Sequence, residues 1–187
     1  MRYRILCLPL AAGLIAALLY YKSNQTYRPL TSEERAAVQS QQPAPMFTLH
    51  DQRSQPFKLG RYAGRHKLVV AFFDPADGAD LNPQLQILKD GFARLTAHGE
   101  KIIAISSATP YANRKAFERG GDFPFHILSD ADHSVQTQWG CVAAGEPPKM
   151  LPAVFVIDRA GIIHWSEVGG NEPVSIEKLE TELAKAR

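Results

Sequence analysis

A short apolar run, LVVAFF at positions 68–73, is the feature that most constrains the fold of this chain. Successive side chains of a β-strand point to opposite faces, so a strand without polar residues is expected to be covered on both faces. Immediately downstream, Asn82 and Pro83 offer an N-cap and a first-turn proline for a helix. A doubly covered strand that leads into a helix predicts an α/β fold. The apolar residues at helical spacing that follow are Leu81, Leu85, Leu88, Phe92 and Leu95, with Gly99 as the predicted end.

Strand-like and helix-like segments alternate through the rest of the chain. The predicted order is β-β-β-α-β-α-β-α-β-β-α, which begins with a hairpin around DQRSQP at 51–56 and ends with a helix in SIEKLETELAKA at 175–186. This order predicts a mostly parallel sheet with helices on both faces, to which the last hairpin adds antiparallel strands. Ligand chemistry in such sheets concentrates where strands end and helices begin, and residues 72–92 form such a junction.

The N-terminus has the pattern of a membrane anchor. Arg2 and Arg4 precede an uncharged run from Ile5 to Tyr21, whose length of about 17 residues is near the lower limit for crossing a bilayer. Positive residues before the run favour a cytoplasmic N-terminus. We therefore predict a cytoplasmic segment at 1–4 and a single transmembrane signal anchor at 5–21 of the cytoplasmic (inner) membrane. A cleaved signal peptide is the alternative, which the bulky LLYYK sequence disfavours.

The anchor orientation places the rest of the chain on the periplasmic, extracytoplasmic side. We interpret residues 22–45 as a linker and residues 46–187 as one folded domain. The formal net charge of +2, without a Lys/Arg cluster interleaved with aromatics, excludes the usual signature of a nucleic-acid-binding protein. The two cysteines are Cys7, inside the apolar run, and Cys141. The domain thus holds one thiol and no C-x-x-C pair.

Three segments resemble the peroxiredoxins of the AhpC/TSA group: APMFTLHDQRSQPFKLGRYAGRHKLVVAFFDP, FPFHILSDADHSVQTQWG and AVFVIDRAGIIHW. The resemblance extends from Met46 to Trp165 and rests on framework motifs. It implies a thioredoxin-like fold, with a central mixed sheet flanked by helices. For the family it also implies reduction of hydroperoxides through one activated cysteine.

The resemblance further indicates where the family keeps its active site. The family has a proline, a Thr or Ser four residues on, a peroxidatic cysteine three further, and an arginine in a later strand region. Here those positions are Pro75, Ala79, Asn82 and, at or near, Pro152. Only the proline is kept, and an asparagine supplies no thiolate to attack an O–O bond.

Two sister families place sulfur at the same junction. Membrane-anchored thioredoxin-like reductases carry C-x-x-C where this sequence has Asp77-Gly78-Ala79-Asp80. Copper-binding Sco proteins carry C-x-x-x-C, whose cysteines would fall on Gly78 and Asn82. In each comparison the reactive sulfurs are replaced.

Two remaining candidates for chemistry are an aspartate series and a lone thiol. Asp74, Asp77 and Asp80 offer hard oxygen ligands for Ca²⁺ or Mg²⁺, although acidic residues before a helix are better explained by capping and by the helix dipole. We therefore assign no metal and no cofactor. Cys141 is either a reactive thiol or a small buried hydrophobic residue, and the second is more common for a free cysteine.

Two functional hypotheses remain. The first is a membrane-tethered thioredoxin-like domain that has lost peroxidase activity and acts as an accessory or interaction subunit, with a protein partner in a membrane complex. The alternative is a thiol-dependent antioxidant oxidoreductase, a peroxidase or a reductase, that works through Cys141. The reactivity of Cys141 distinguishes the two.

Overall fold

The computed structural model describes residues 41–76, 78–143 and 149–186. The predicted anchor at 5–21, Cys7 and Asp77 therefore lie outside the described residues. Within the part that the structure describes, no helix combines the length and the apolar character needed to cross a membrane.

A mixed seven-stranded sheet forms the centre of the domain. Its strands are β1 (Thr48–Asp51), β2 (Pro56–Lys58), β3 (Leu68–Phe72), β4 (Lys101–Ser106), β5 (His126–Ser129), β8 (Ala153–Ile157) and β9 (Ile163–Val168), with β6 (Val142–Ala143) and β7 (Lys149–Met150) as a separate two-stranded hairpin. The order across the sheet is β2-β1-β5-β4-β3-β8-β9. Only β3–β4 and β4–β5 pair in parallel, so the expectation of a mostly parallel sheet is wrong. Strand β3, an interior strand, pairs with the parallel β4 on one side and with the antiparallel β8 on the other.

Most of the helices begin at side-chain caps, of which Asn82 was predicted from the sequence. The helices are α1 (Pro83–Asp90), α2 (Phe92–Leu95), α3 (Pro110–Gly120), α4 (Ser134–Gln138) and α5 (Ile176–Lys185). The side chains of Asn82, Thr109 and Ser175 each accept a backbone N–H in the first turn of α1, α3 and α5. At α4 the cap comes from further upstream, because the Asp130 carboxylate accepts the N–H groups of Val135 and Gln136 at 3.2 and 2.8 Å.

The predicted long helix after β3 is in fact two helices. The helix is interrupted at Gly91, where an added Cβ would lie 2.7 Å from the side chain of Ile176. The close approach of α5 therefore requires a residue without a side chain at this point. Leu81, which we placed on the apolar face of the helix, precedes the cap and is 68% exposed. That assignment was wrong because the helix begins one residue after the Asn82 cap.

Two hydrophobic cores lie on opposite faces of the sheet. One is closed by α1, α2, α3 and α5, and the other by α4 and the β1–β2 hairpin. Strand β3 contributes Val69 and Ala71 to the first core and Val70 and Phe72 to the second. The prediction of a strand covered on both faces is thus confirmed, and the carboxyl end of β3 opens between the two layers.

Candidate functional site

A cavity of about 200 Å³ lies beside the carboxyl end of β3. Its walls are the end of β3, the head of α1, the start of β8, the end of β9 and the loop at 170–174. Asn82 and Pro152 both line it. The structure therefore brings together the two positions that the resemblance assigned to the family's cysteine and arginine, although they are far apart in the chain.

The other two assigned positions lie elsewhere. Pro75 and Ala79 line a separate open groove with Tyr111 and Arg119. Ala79 is 1% exposed and packs in the core beneath α1 and α3. The four positions of the family's site are thus divided between two concavities, and only the Asn82–Pro152 pair lines the cavity at the head of α1.

Asn82 caps the head of α1. Its Oδ1 accepts the N–H of Leu85 at 3.2 Å, and Pro83 at the first helical position has no N–H to satisfy. A carboxamide in this role satisfies the backbone and has no nucleophile to offer. Among the described residues that line the cavity there is no cysteine.

The aspartates before α1 are engaged in local structure. The Asp74 carboxylate accepts the N–H of Ala76 at 2.9 Å. Asp80 forms two bonds to the guanidinium of Arg119, at 2.8 and 3.1 Å, and the hydrogen bond from Arg119 lowers the pKa of Asp80 below its ordinary value. Asp80 therefore ties this loop to the end of α3, and our expectation that it caps α1 was wrong. Among the residues that the structure describes, no group of three or more His, Cys, Asp or Glu side chains is arranged to hold a metal ion.

Cys141 is fully buried, with no exposed surface. It packs in the same core as Phe72, Trp139 and Phe155, and its Sγ lies 3.5 Å from the carbonyl oxygen of Trp139. Burial strongly raises the pKa of the Cys141 thiol. The thiol is therefore protonated at neutral pH and shielded from solvent, which is the opposite of the environment of a reactive cysteine.

Three cavity residues were missed by reasoning from the sequence: Gln84, Glu167 and Glu172. Gln84 donates from Nε2 to the carbonyl oxygen of Val174 at 3.2 Å and accepts the Val174 N–H at Oε1 at 2.7 Å. These two hydrogen bonds fix the loop at 170–174 over the head of α1. A polar residue two positions after a helix cap was a weak local signal for Gln84, and nothing local in the sequence indicated the two glutamates.

Comparison with known sequences identifies relatives over most of the domain. A family model described as the AhpC/TSA family matches residues 40–166. Peroxiredoxin Q of Populus jackii, a chloroplastic protein, is 30% identical over 131 residues, which is 68% of this chain and 59% of that protein. The protein of the same name from Arabidopsis thaliana is 34% identical over 131 residues, or 68% and 58% of the two chains. This chain thus spans about three fifths of the length of these curated relatives.

Solved structures share the fold at lower identity. Peroxidoxin BcpB from Mycobacterium tuberculosis superposes with a TM-score of 0.65 at 21% identity, covering 80% of this chain and 98% of that one. The bacterioferritin comigratory protein of Xanthomonas campestris, described for its alkyl peroxide reduction activity, gives 0.61 at 17% identity and covers 75% and 92%. These likenesses confirm the predicted thioredoxin-like fold, a mixed sheet flanked by helices.

Proposed function

This chain belongs to the AhpC/TSA family, with a peroxiredoxin domain of the peroxiredoxin Q and bacterioferritin comigratory protein type, and from that premise we propose that its cavity at the head of α1 serves for binding and not for peroxide reduction. The observation that carries this proposal is Asn82, which stands at the mouth of the cavity with its carboxamide committed to the helix cap.

The chemical requirement is strict. A thiol peroxidase needs a thiolate that attacks the O–O bond. The sulfur takes one oxygen and becomes a sulfenic acid, and the other oxygen departs as water or an alcohol. A second thiol must then reduce the sulfenic acid. Asn82 can do neither step, and the sequence holds no cysteine between Cys7 and Cys141.

The proposed setting follows the N-terminal sequence. The anchor at 5–21 tethers the domain to the cytoplasmic membrane, and the linker at 22–45 lets it reach a protein partner on the extracytoplasmic side. The domain is then an accessory or interaction subunit of a membrane complex. The apolar run and the polar stretch that follows it support this setting.

The second candidate is thiol-dependent reduction of hydroperoxides through Cys141, and the names of the relatives favour it. For Cys141 to act, the segment around Trp139 must open and expose the sulfur, because the thiol has no access to solvent in the folded chain. Such a step would have to lower the raised pKa of Cys141 as well, since the thiolate is the reactive form.

Hydroperoxide turnover distinguishes the two candidates. The full-length chain is incubated with hydrogen peroxide or cumene hydroperoxide and an excess of dithiothreitol, and peroxide loss is followed. We expect the wild-type chain, Cys141→Ser and the matched control Cys7→Ser to stay at the rate of the reductant alone. Turnover that Cys141→Ser abolishes and Cys7→Ser leaves intact would overturn the binding proposal and establish the second candidate.

A further inference from the structure

The cavity at the head of α1 has charge of one sign only. Its ionisable lining residues are Glu167, at the end of β9, and Glu172, in the loop at 170–174, with no Lys, Arg or His among the lining residues. Within the described residues neither glutamate forms an ion pair. By contrast, Glu118 and Glu182 are paired with lysines. The cavity glutamates are therefore available to a ligand.

The Glu167 carboxylate is seated against the backbone of the loop. A Cβ on Gly170 would lie 2.6 Å from Oε1 of Glu167, so the carboxylate occupies the space that a side chain at Gly170 would need. The loop itself is fixed by the two bonds between Gln84 and Val174. The backbone of this loop is thus positioned before any ligand arrives, which lowers the ordering cost of binding, while Glu167 is half-buried and Glu172 is exposed.

The remaining walls are apolar. Phe72 and Phe73 at the end of β3 and Val154 of β8 are each no more than 3% exposed and face the cavity with Pro152. A ligand that enters between these walls and the glutamates meets hydrocarbon on one side and carboxylates on the other. Such a lining suits a charged group on an apolar stem.

The head of α1 reduces this negative charge without cancelling it. A helix N-terminus carries a partial positive charge of about half a unit. The charge of two carboxylates exceeds this partial positive charge, so the net electrostatic potential in the cavity is negative. An anion, such as a carboxylate, is therefore disfavoured at this site.

We propose that this cavity binds an alkylammonium or alkylguanidinium group, as carried by a lysine or arginine side chain or by a free small amine. The inference rests on the proposed binding function and names the ligand class of the same cavity. The volume of about 200 Å³ corresponds to roughly six or seven waters at about 30 Å³ each, which matches the end of such a side chain.

Titration with matched probes tests the ligand class. Isotope-labelled full-length chain in mild detergent is titrated with n-butylammonium, with n-butanol as the neutral analogue and with butyrate as the anion, and the backbone amide shifts of Leu85 and Val174 are followed. We expect butylammonium to bind about tenfold or more tightly than butanol, because it alone pairs with the carboxylates. Equal shifts with butanol, or stronger ones with butyrate, would overturn the inference.

Isosteric variants test the two glutamates. Glu167→Gln and Glu172→Gln are each expected to weaken butylammonium binding about fivefold, which is the size of one partly exposed charge interaction. The matched control Glu118→Gln lies on α3 outside the cavity lining and is expected to leave the affinity unchanged. Circular dichroism and the melting temperature confirm that each variant is folded. Retained affinity in the Glu167→Gln, Glu172→Gln double variant would refute the site.

The two sources of the cation are separated by a third probe. N-acetyl-lysine methylamide that binds at least as tightly as butylammonium identifies a protein side chain as the natural ligand, and weaker binding identifies a free amine. Both outcomes retain the cationic class. If butylammonium does not bind and peroxide turnover is absent, this inference is refuted and the proposed binding function is retained. If turnover depends on Cys141, the binding function itself is refuted.

Discussion

At the residue scale, Asn82 satisfies the backbone at the start of α1 through its carboxamide oxygen, 3.2 Å from the Leu85 nitrogen. Any short polar side chain can cap a helix in this way. Reduction of a peroxide, in contrast, requires a thiolate. A single position can therefore keep the geometry of the family while it gives up the family's chemistry, and the apolar walls and glutamates around it then determine what the cavity binds.

Cys141 carries a pH-dependent part of the stability. Its pKa is raised in the folded chain, whereas a cysteine in the unfolded chain titrates near about 8.5. Above that pH the unfolded chain loses a proton that the folded chain keeps, so the free energy of unfolding falls. We predict that the stability of the wild type relative to Cys141→Ala is constant below about pH 8 and declines above about pH 8.5, by about 1.4 kcal/mol per pH unit.

Urea unfolding of both chains between pH 7 and pH 10 measures this difference. Lysines and tyrosines titrate in both chains and cancel in the subtraction. A difference that stays constant across the range would show that the Cys141 thiol is already solvated in the native state. Such a result would also strengthen the second functional candidate.

At the element scale, glycine breaks and side-chain clamps position the cavity walls. Gly91 ends α1 where the Ile176 side chain of α5 lies close to the backbone, and Asp80 ties the loop before α1 to Arg119 at the end of α3. Gln84 then connects the first turn of α1 to Val174, which precedes the Ser175 cap of α5. The Asp80–Arg119 and Gln84–Val174 contacts thus hold the head of α1 in one position, and the contact at Gly91 positions its other end.

We predict that Gln84→Ala lowers the free energy of unfolding by about 1–2 kcal/mol, because it leaves the N–H and C=O of Val174 without their partner. Hydrogen exchange should show the larger local effect, as faster exchange of the Val174 amide. Gln138→Ala on the exposed face of α4 is the matched control and should change neither quantity. Unaltered exchange at Val174 would mean that the loop at 170–174 is held by other contacts.

At the scale of the whole molecule, one sheet separates two cores that differ in what covers them. Four helices close one face, and the β1–β2 hairpin with α4 closes the other. Trp139 is the centre of the second core, with ring centroids 5.5 Å from Phe72 and 4.9 Å from Phe155. Cys141 lies in that same aromatic core, which explains why solvent has no access to the one thiol of the domain.

The anchor remains a prediction at this scale. We expect the full-length chain to stay in the membrane pellet after an alkaline carbonate wash, and a chain that lacks residues 2–21 to appear in the soluble fraction. The loss of about 17 apolar residues removes the segment that could cross a bilayer. A chain that lacks residues 24–40 of the linker is the control and should remain in the pellet. N-terminal sequencing that begins beyond Tyr21 would favour a cleaved signal peptide.

Short-range features could be predicted from the sequence. The doubly covered β3, the cap at Asn82 and the β1–β2 hairpin depend on periodicity and on side chains within a few residues of one another. The break at Gly91 and the exposure of Leu81 were missed because each depends on where α5 packs. The preference for antiparallel pairing was missed for the same reason, since the position of β8 beside β3 is not encoded locally.

The sequence by itself determined which chemistry is available, because atoms that are absent from a chain cannot be supplied by its fold, and here residues 8–140 contain no sulfur nucleophile. Only the tertiary structure decided how the remaining groups are used. Strand pairing and helix packing brought Asn82, Pro152 and Glu167 to one cavity and enclosed Cys141 in a core. Contacts between distant segments depend on the whole arrangement of the sheet, and no stretch of residues read alone contains that information.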